Sequence, residues 1–504
     1  MDENYGLCHK CRSRVPADHV IRDGCVYLRK QCPDCGETEA LVSTDAATWQ
    51  RKREICHYDG DISRPCSLNC DQCNMHERPR MVFMDVTNRC NMNCPICIAN
   101  IPAMGFEFNP PIEYFEHILE ELGKWDPKPL VQLFGGEPTV RDDMFEIIGI
   151  ARRNGLDARV VTNGLKLADE EYCKRLCDEK VHVLLGFDGD APEIYDRLRK
   201  NPTAYRRKRQ ALDNLAKYSR HKNTIMCCVA RHINDQYMRD LIELCHERRS
   251  YIKCLHCIPL TETWEEGEFE TDVATTTEDV EQILDEAFPG EMLEFLPAGL
   301  SENLRLPARF FGVLRLKFGG AHPNCESAAV LVSDGERYRP LSHYLTRPLD
   351  DIAEDVVTRC EEMKEKLGKL DPEKKFDRLR GRLTVLRKLL PLAVRALDFK
   401  AIAGGSRLAC ALKILGGLLT GKKPKDLLRR HTDTQDVMLM IVLPFEEYHS
   451  VESARLSDCW AGFVYEDPDT DEVRTIPVCI WGEYKTDLQR KIARKYETRA
   501  AVKA

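Results

Sequence analysis

The chain has 504 residues, more than one hydrophobic core usually serves, so a main domain with appendages is expected. Its composition, 43% hydrophobic and 31% charged, is that of a folded protein, and 74 basic against 82 acidic residues exclude a globally basic nucleic-acid binder. Its 24 cysteines exceed what packing needs. No apolar run of about 18 residues offers a membrane span. The N-terminal MDENYGLCHKC lacks the apolar stretch of an export signal, so reduced cytosolic thiols, many holding metal, are expected rather than a disulfide scaffold.

Residues 1–55 carry Cys8-x2-Cys11 and Cys32-x2-Cys35, two knuckles whose spacing matches a four-thiolate tetrahedral site for zinc or a lone rubredoxin-like iron. Residues 56–80 hold CSLNCDQC. Its Cys66, Cys70 and Cys73 suggest an auxiliary iron–sulfur cluster with Cys56 or His76 as fourth ligand, or else a second zinc site. From 81 to 260 the rhythm changes. MVFMDVT (81–87) reads as a buried strand, and 111–122 puts Ile112, Phe115, Leu119 and Leu122 on one helical face. LVQLF (130–134) is a strand and 142–155 a helix closed by Gly155; DARVVTNG, ADEEYCKRLCDEK and VHVLLGFDG repeat the alternation. TIMCCVA (224–230) precedes a helix that Asn234 or Asp235 would cap, and YIKCLHCIPL (251–260) is the sixth strand. Six strand–helix units with apolar strands predict a parallel sheet, either open or curled into a partial barrel.

Residues 261–373 read as a C-terminal extension, opening with an acidic, Thr-rich surface loop (261–279) that leads into a helix. Residues 374–430 hold 16 Lys and Arg against 3 Asp, with leucine-rich runs between them. Such a stretch is either a basic amphipathic surface for anionic membranes or a solvated face packed by its leucines. Residues 431–504 return to short strand-like runs with Cys459 and Cys479.

CNMNCPIC places Cys90, Cys94 and Cys97 in a loop directly after the first strand, and three thiolates leave one iron of a [4Fe–4S] cube without a protein ligand. FGGEPT (134–139), VVTNG (160–164) and GFDG (186–189) end the next three strands, where parallel α/β folds hold their ligands. Over roughly 81–260 these motifs resemble the radical SAM superfamily. The resemblance implies an α/β fold, a partial (β/α)6 barrel flanked by an N-terminal cysteine-rich metal-binding region and a C-terminal auxiliary-cluster region. It also implies a catalytic [4Fe–4S] cluster on Cys90, Cys94 and Cys97, whose open iron chelates S-adenosyl-L-methionine (SAM). Gly135, Gly136 and Glu137 would then meet the SAM amino group, while Asn163 and Asp188 touch its polar parts; a turn role for Asp188 is the alternative. Glycines suit such a site because a ligand can approach their backbone closely. One electron from a donor such as ferredoxin or flavodoxin would cleave SAM to a 5′-deoxyadenosyl radical, chemistry that belongs to the cofactor.

The N-terminal three-cysteine motif, Cys325 in HPNC, and Cys459 with Cys479 resemble one branch of that superfamily, which includes the archaeal tetraether lipid synthase and related proteins labelled pterin methyltransferases. This implies a second auxiliary cluster near Cys325, Cys459 and Cys479. Cys254 and Cys257 depart from the branch and leave the fourth ligand open. Cys25, Cys173, Cys177, Cys227, Cys228, Cys245, Cys360 and Cys410 read as structural. The expected activity is C–H activation of lipid alkyl chains and their joining carbon to carbon. The rivals are a radical SAM methyltransferase or peptide-modifying enzyme and, without catalysis, an iron–sulfur electron carrier. The expected location is the cytoplasm, with a peripheral place on the inner face of the membrane, a lipid substrate and no nucleic-acid partner.

Overall fold

The computed structural model describes residues 4–57, 66, 68–70, 73, 78–262, 269, 271–313, 321–402, 407–419, 424–432, 434–457 and 459–503. His76, one of the two expected fourth ligands, lies outside them, as does part of the Thr-rich loop. The N-terminal strands β1 (Tyr5–Leu7), β2 (Arg14–Arg22), β3 (Cys25–Cys32) and β4 (Gly36–Ser43) form an antiparallel sheet in sequence order. The turns before β2 and after β3 bring the two cysteine knuckles to one end of it.

The main sheet begins with β5 (Met81–Thr87), β6 (Leu130–Gly135), β7 (Asp157–Thr162), β8 (His182–Gly186), β9 (Asn223–Val229) and β10 (Ile252–Pro259), all parallel and each beside the next. Every residue of β5 is buried, as in a parallel sheet covered on both faces. Helices Ile112–Gly123, Met144–Arg153, Glu170–Asp178, Ala204–Tyr218 and Met238–Glu247 separate the strands. The last of these begins after a short 3-10 turn, and Asn234 does not cap it. Its amide instead donates to Asp188 O and Cys228 O, tying two strand-end loops together.

The chain beyond 260 does not form a separate body. β11 (Leu296–Pro297), β12 (Ser327–Ser333), β13 (Tyr338–Pro340), β14 (Asp436–Val442), β15 (Ala461–Glu466) and β16 (Val473–Pro477) extend the same sheet. β14 lies parallel to β10 with β12 antiparallel outside it, and β15 lies parallel to β5 on the other edge. Both edges of the six-stranded core, otherwise rows of unpaired backbone groups, are thus covered. The sheet curls until its ends meet: Glu326, just before β12, accepts a hydrogen bond from Trp460, just before β15.

The C-terminal helix Trp481–Lys503, which hydropathy does not announce, packs its polar residues inward. Trp481 Nε1 and Gln489 Nε2 donate to Asp85 Oδ2 at 2.9 and 2.7 Å, with Lys485 Nζ at 3.4 Å. Within the basic stretch, helix Lys375–Ala396 packs on helix Leu349–Gly368 and buries Gly381 against the Phe310 ring, yet leaves Phe376, Leu379 and Leu383 exposed. No helix among the described residues is long and apolar enough to cross a membrane.

Candidate metal centres and the barrel cavity

Cys8, Cys11, Cys32 and Cys35 hold their sulfurs within 4.8 Å of one another, with Cys11 and Cys32 at 3.7 Å. Four thiolates around one tetrahedral ion, each about 2.3 Å from it, require this spacing, so the set fits a single zinc ion or iron. The ribbon is anchored to the rest of the chain: buried Lys30 donates to Leu7 O at 2.8 Å and to His449 O, and Arg12 pairs with Glu483 at 2.9 Å.

At the C-terminal ends of the parallel strands, Cys90, Cys94 and Cys97 line one wall of a cavity of about 1360 Å³. Burial pushes the Cys90 thiol up to about 12 and raises Cys94 as well, so their thiolates need positive charge beside them. Arg199 and Lys208 face Cys94 and supply part of it.

The loop is held from behind. Gly136 N donates to Thr87 O at 2.7 Å and Glu137 N to Arg89 O at 2.9 Å. A Cβ at Gly135 would stand 2.3 Å from Thr87 O, and one at Gly136 2.4 Å from Arg89 O. These glycines therefore admit the backbone of the cysteine loop, a different reason from the ligand approach that the sequence suggests. Gly135 also adopts φ +135°, a conformation open to glycine.

Glu137 is buried and fully engaged. Its Oε1 accepts from Thr139 N, Thr139 Oγ1 (2.6 Å) and Thr162 Oγ1 (2.7 Å), and Oε2 accepts from Asn163 N (2.6 Å). Asn163 Nδ2 in turn donates to Asn91 Oδ1 inside the cysteine loop at 2.8 Å. The GGE and TNG segments thus form one scaffold beneath the cysteines, and all four residues reach the cavity wall.

Asp188 does not line the cavity. It is fully buried behind the wall, where both oxygens accept from Arg199 (2.7 and 2.9 Å) and Oδ1 also accepts from Cys228 N. Asp188 thereby orients Arg199, which does line the cavity. Cys228 was expected to be structural, but it faces the cavity while Cys227 points away; Cys254 faces in and Cys257 lies outside near Cys245. The period-two alternation of a strand accounts for both pairs.

Cys325, Cys459 and Cys479 line the same cavity where the sheet's two ends meet. Cys325 closes a turn with its N–H on His322 O (2.9 Å), Cys459 precedes β15, and Cys479 follows β16. Burial pushes Cys325 up to about 12 and Cys459 up to about 11, and raises Cys479. Buried Arg455, paired with Glu446 at 3.3 Å, is the cation facing Cys325 and Cys479. A three-thiolate set around a buried cation, in a polar pocket of an otherwise apolar wall, suits an anionic cluster.

Cys66 and Cys70 are buried outside this cavity, with Cys73 beside Cys66. Tyr484 of the C-terminal helix accepts from Cys70 N at 3.1 Å and donates to Leu68 O. Cys56 packs elsewhere, in a small cluster with Ile55, Leu300, Ala353 and Val357. Helix Ala46–Ile55 carries it toward residues 296–357.

Residues 84–245 match the model of the radical SAM superfamily, and residues 1–44 that of the HMPTM N-terminal zinc ribbon domain. The chain is 27% identical over 391 residues to 7,8-dihydro-6-hydroxymethylpterin dimethyltransferase of Methanocaldococcus jannaschii, covering 74% of this chain and 75% of the relative. Fe-coproporphyrin III synthase of Methanosarcina barkeri is 29% identical over 166 residues, 33% of this chain and 40% of the relative. Among solved structures, Streptococcus suis SuiB bound to S-adenosylmethionine is similar at 15% identity and a TM-score of 0.33, covering 52% of this chain and 68% of that one.

Proposed function

We propose that this chain, with a radical SAM domain at its centre, is a radical SAM enzyme that takes hydrogen from lipid alkyl chains and joins them carbon to carbon. The observation that carries this reading is one cavity lined both by Cys90, Cys94 and Cys97 and by Cys325, Cys459 and Cys479. Its volume of about 1360 Å³ exceeds the ~300–1,000 Å³ usual for a small ligand. Phe83, Phe134, Ile441 and Phe463 give its middle an apolar wall.

In this reading Cys90, Cys94 and Cys97 hold the catalytic cluster and the second triad holds an auxiliary one. Cys66, Cys70 and Cys73 hold another, and the N-terminal four-cysteine site holds zinc. When bound, cluster and SAM supply the 5′-deoxyadenosyl radical. The chain's own residues fix the cysteine loop through Gly135, Gly136, Glu137 and Asn163, balance its charge through Arg199 and Lys208, and keep water from the radical. Joining two saturated carbons breaks two C–H bonds and makes one C–C bond. Two SAM molecules are therefore consumed per bond, each cleaved by one electron from a donor such as ferredoxin or flavodoxin.

Anaerobic expression in a host without membrane-spanning lipids, followed by lipid mass spectrometry, tests the reading. Coupled chains lighter by two hydrogens per new bond are expected, and unchanged lipids with an active SAM-cleaving enzyme would refute it. A second reading is methyl transfer to a pterin, favoured by the long similarity to the relative of that name. It predicts a methylated pterin and no lipid product.

The N-terminal site is expected to be structural, since two knuckles tie together a unit too small to fold by burial alone. Cys32→Ser should release the bound metal and lower the melting temperature, while SAM cleavage per folded molecule stays at the wild-type level. Selective loss of cleavage in a stable protein would point to an electron-relay role instead.

The basic stretch supports a peripheral membrane contact. On helix Lys375–Ala396 the exposed Phe376, Leu379 and Leu383 run beside Arg380 and Arg387. Each basic residue near an anionic surface contributes about 1 kcal/mol, fading within a Debye length. Wild-type protein should bind phosphatidylglycerol vesicles and release them as salt rises, and reversing Arg380, Arg387 and Arg395 to Glu should weaken that binding more than tenfold. Equal affinity for neutral vesicles would contradict the electrostatic contact.

A further inference from the structure

The cavity has a second polar end that the reaction does not use. Opposite the cysteine loop, at the N-terminal ends of the parallel strands, Arg159, His182, Lys222 and Thr224 line its base. Arg159 and His182 are register partners on β7 and β8, and His182 Nε2 hydrogen-bonds Thr224 Oγ1 at 2.9 Å. Lys253, also at the base, is neutralised by Asp436.

Arg159 differs from the other three. Its Nε is buried there without a hydrogen-bond partner, and like Lys222 it forms no salt bridge among the described residues. The carboxylate that faces it is Asp157, exposed and two residues earlier on the same strand; across the base it faces the Cys254 thiol. Burial lowers the pKa of Arg159. A guanidinium held in a low-dielectric cavity with an unsatisfied donor is costly unless an acceptor arrives, and its planar fork matches phosphate and carboxylate oxygens.

Above this base the wall is mostly apolar, with Val161, Leu184, Met226 and Leu439 beside His256, and above that comes the loop of Cys90, Cys94 and Cys97. The order is cationic, apolar, metal-binding. We propose that the base of the barrel is a subsite for the anionic head group of the amphiphile, a phosphate or carboxylate, anchored by Arg159 with His182 and Lys222 beside it. This rests on the lipid reading above and adds an orientation to it. Arg159 on β7 and Asn163 just after its end lie four residues apart, about 13 Å at the rise of a strand. A head group held at Arg159 therefore presents chain atoms remote from itself to the cysteine loop.

The test is equilibrium binding to the anaerobically purified full chain, using dodecyl phosphate below its micelle concentration, uncharged dodecanol and inorganic phosphate. Wild-type protein should bind dodecyl phosphate at least tenfold more tightly than dodecanol. Arg159→Gln should erase that difference while dodecanol affinity is unchanged, and His182→Gln should reduce it. Arg159→Lys, which keeps the charge and loses the fork, should retain part of the preference and serves if Arg159→Gln fails to fold. Equal wild-type affinity for the two amphiphiles, or a preference that survives Arg159→Gln, overturns the head-group subsite and leaves the apolar cavity reading standing. Inorganic phosphate binding as tightly as dodecyl phosphate, in an Arg159-dependent way, overturns it in favour of a free-phosphate site. If neither amphiphile binds, the lipid reading itself falls, and the subsite with it.

Discussion

Cys90→Ala is expected to bring reductive SAM cleavage to 5′-deoxyadenosine below detection, whereas Glu137→Gln should leave a measurable remnant. Burial raises the pKa of the Cys90 thiol, so its thiolate needs positive charge beside it, and in the proposed reading losing one of three ligands removes the platform that the cofactor needs. Glu137 acts at one remove, through its bonds to Thr139, Thr162 and Asn163. Outer partners of metal ligands typically cost ~10–100-fold in affinity or activity when changed, and Glu137→Gln should fall in that range. Iron analysis separates the two cases. Cys90→Ala should lose the iron of one cluster yet keep iron–sulfur absorbance from the Cys66 and Cys325 sets, and Glu137→Gln should load nearly in full. Retention of SAM cleavage by Cys90→Ala would overturn the assignment of the catalytic loop, and a colourless but folded Cys90→Ala protein would overturn the auxiliary sets.

The parallel core was legible because its strands are apolar throughout and its chemistry follows each strand end in a short, glycine-marked loop. Local spacing likewise marked the two knuckles of the ribbon. Long-range geometry was not legible in local spacing, and only the family resemblance grouped the late cysteines. Cys325, Cys459 and Cys479 come together only because the sheet adds strands on both edges and curls until the ends touch, and no local period records that closure. The C-terminal helix was hidden for the opposite reason: Lys485 and Gln489 turn inward to Asp85, so its buried face does not look apolar. Asp188 was misplaced because a carboxylate at a strand end looks like a ligand contact until Arg199 is seen to occupy it. Arg159 passed unnoticed as one more charged residue in DARVV, since only the barrel shows that its side chain points inward.

Lys52→Met is expected to be the most destabilising single change outside the metal sites, by about 3–5 kcal/mol, the usual cost of breaking a buried ion pair from one side. Lys52 is almost fully buried in helix Ala46–Ile55 and donates to Glu278 Oε1 at 2.8 Å and Glu281 Oε1 at 2.6 Å. Glu281 also accepts from Ser327 Oγ at the start of β12. Removing the ammonium would leave two carboxylates facing each other without a cation, and burial already raises the pKa of Glu281. Chemical denaturation should show the loss as a lower midpoint. The consequence should reach the second cysteine triad, because the same helix holds the turn that carries Cys325: Asn324 Nδ2 donates to Trp49 O at 2.8 Å, and Arg53 Nη1 donates to Asn324 Oδ1 at 3.3 Å. Iron content should therefore fall by the share of that site, while SAM cleavage at the Cys90 loop persists in the protein that remains folded. The triple change Lys52→Met, Glu278→Leu and Glu281→Met removes all three charges and should recover much of the stability, since an apolar replacement of a buried ion network is often neutral or better. A Lys52→Met protein with wild-type stability would overturn the stabilising role of this network.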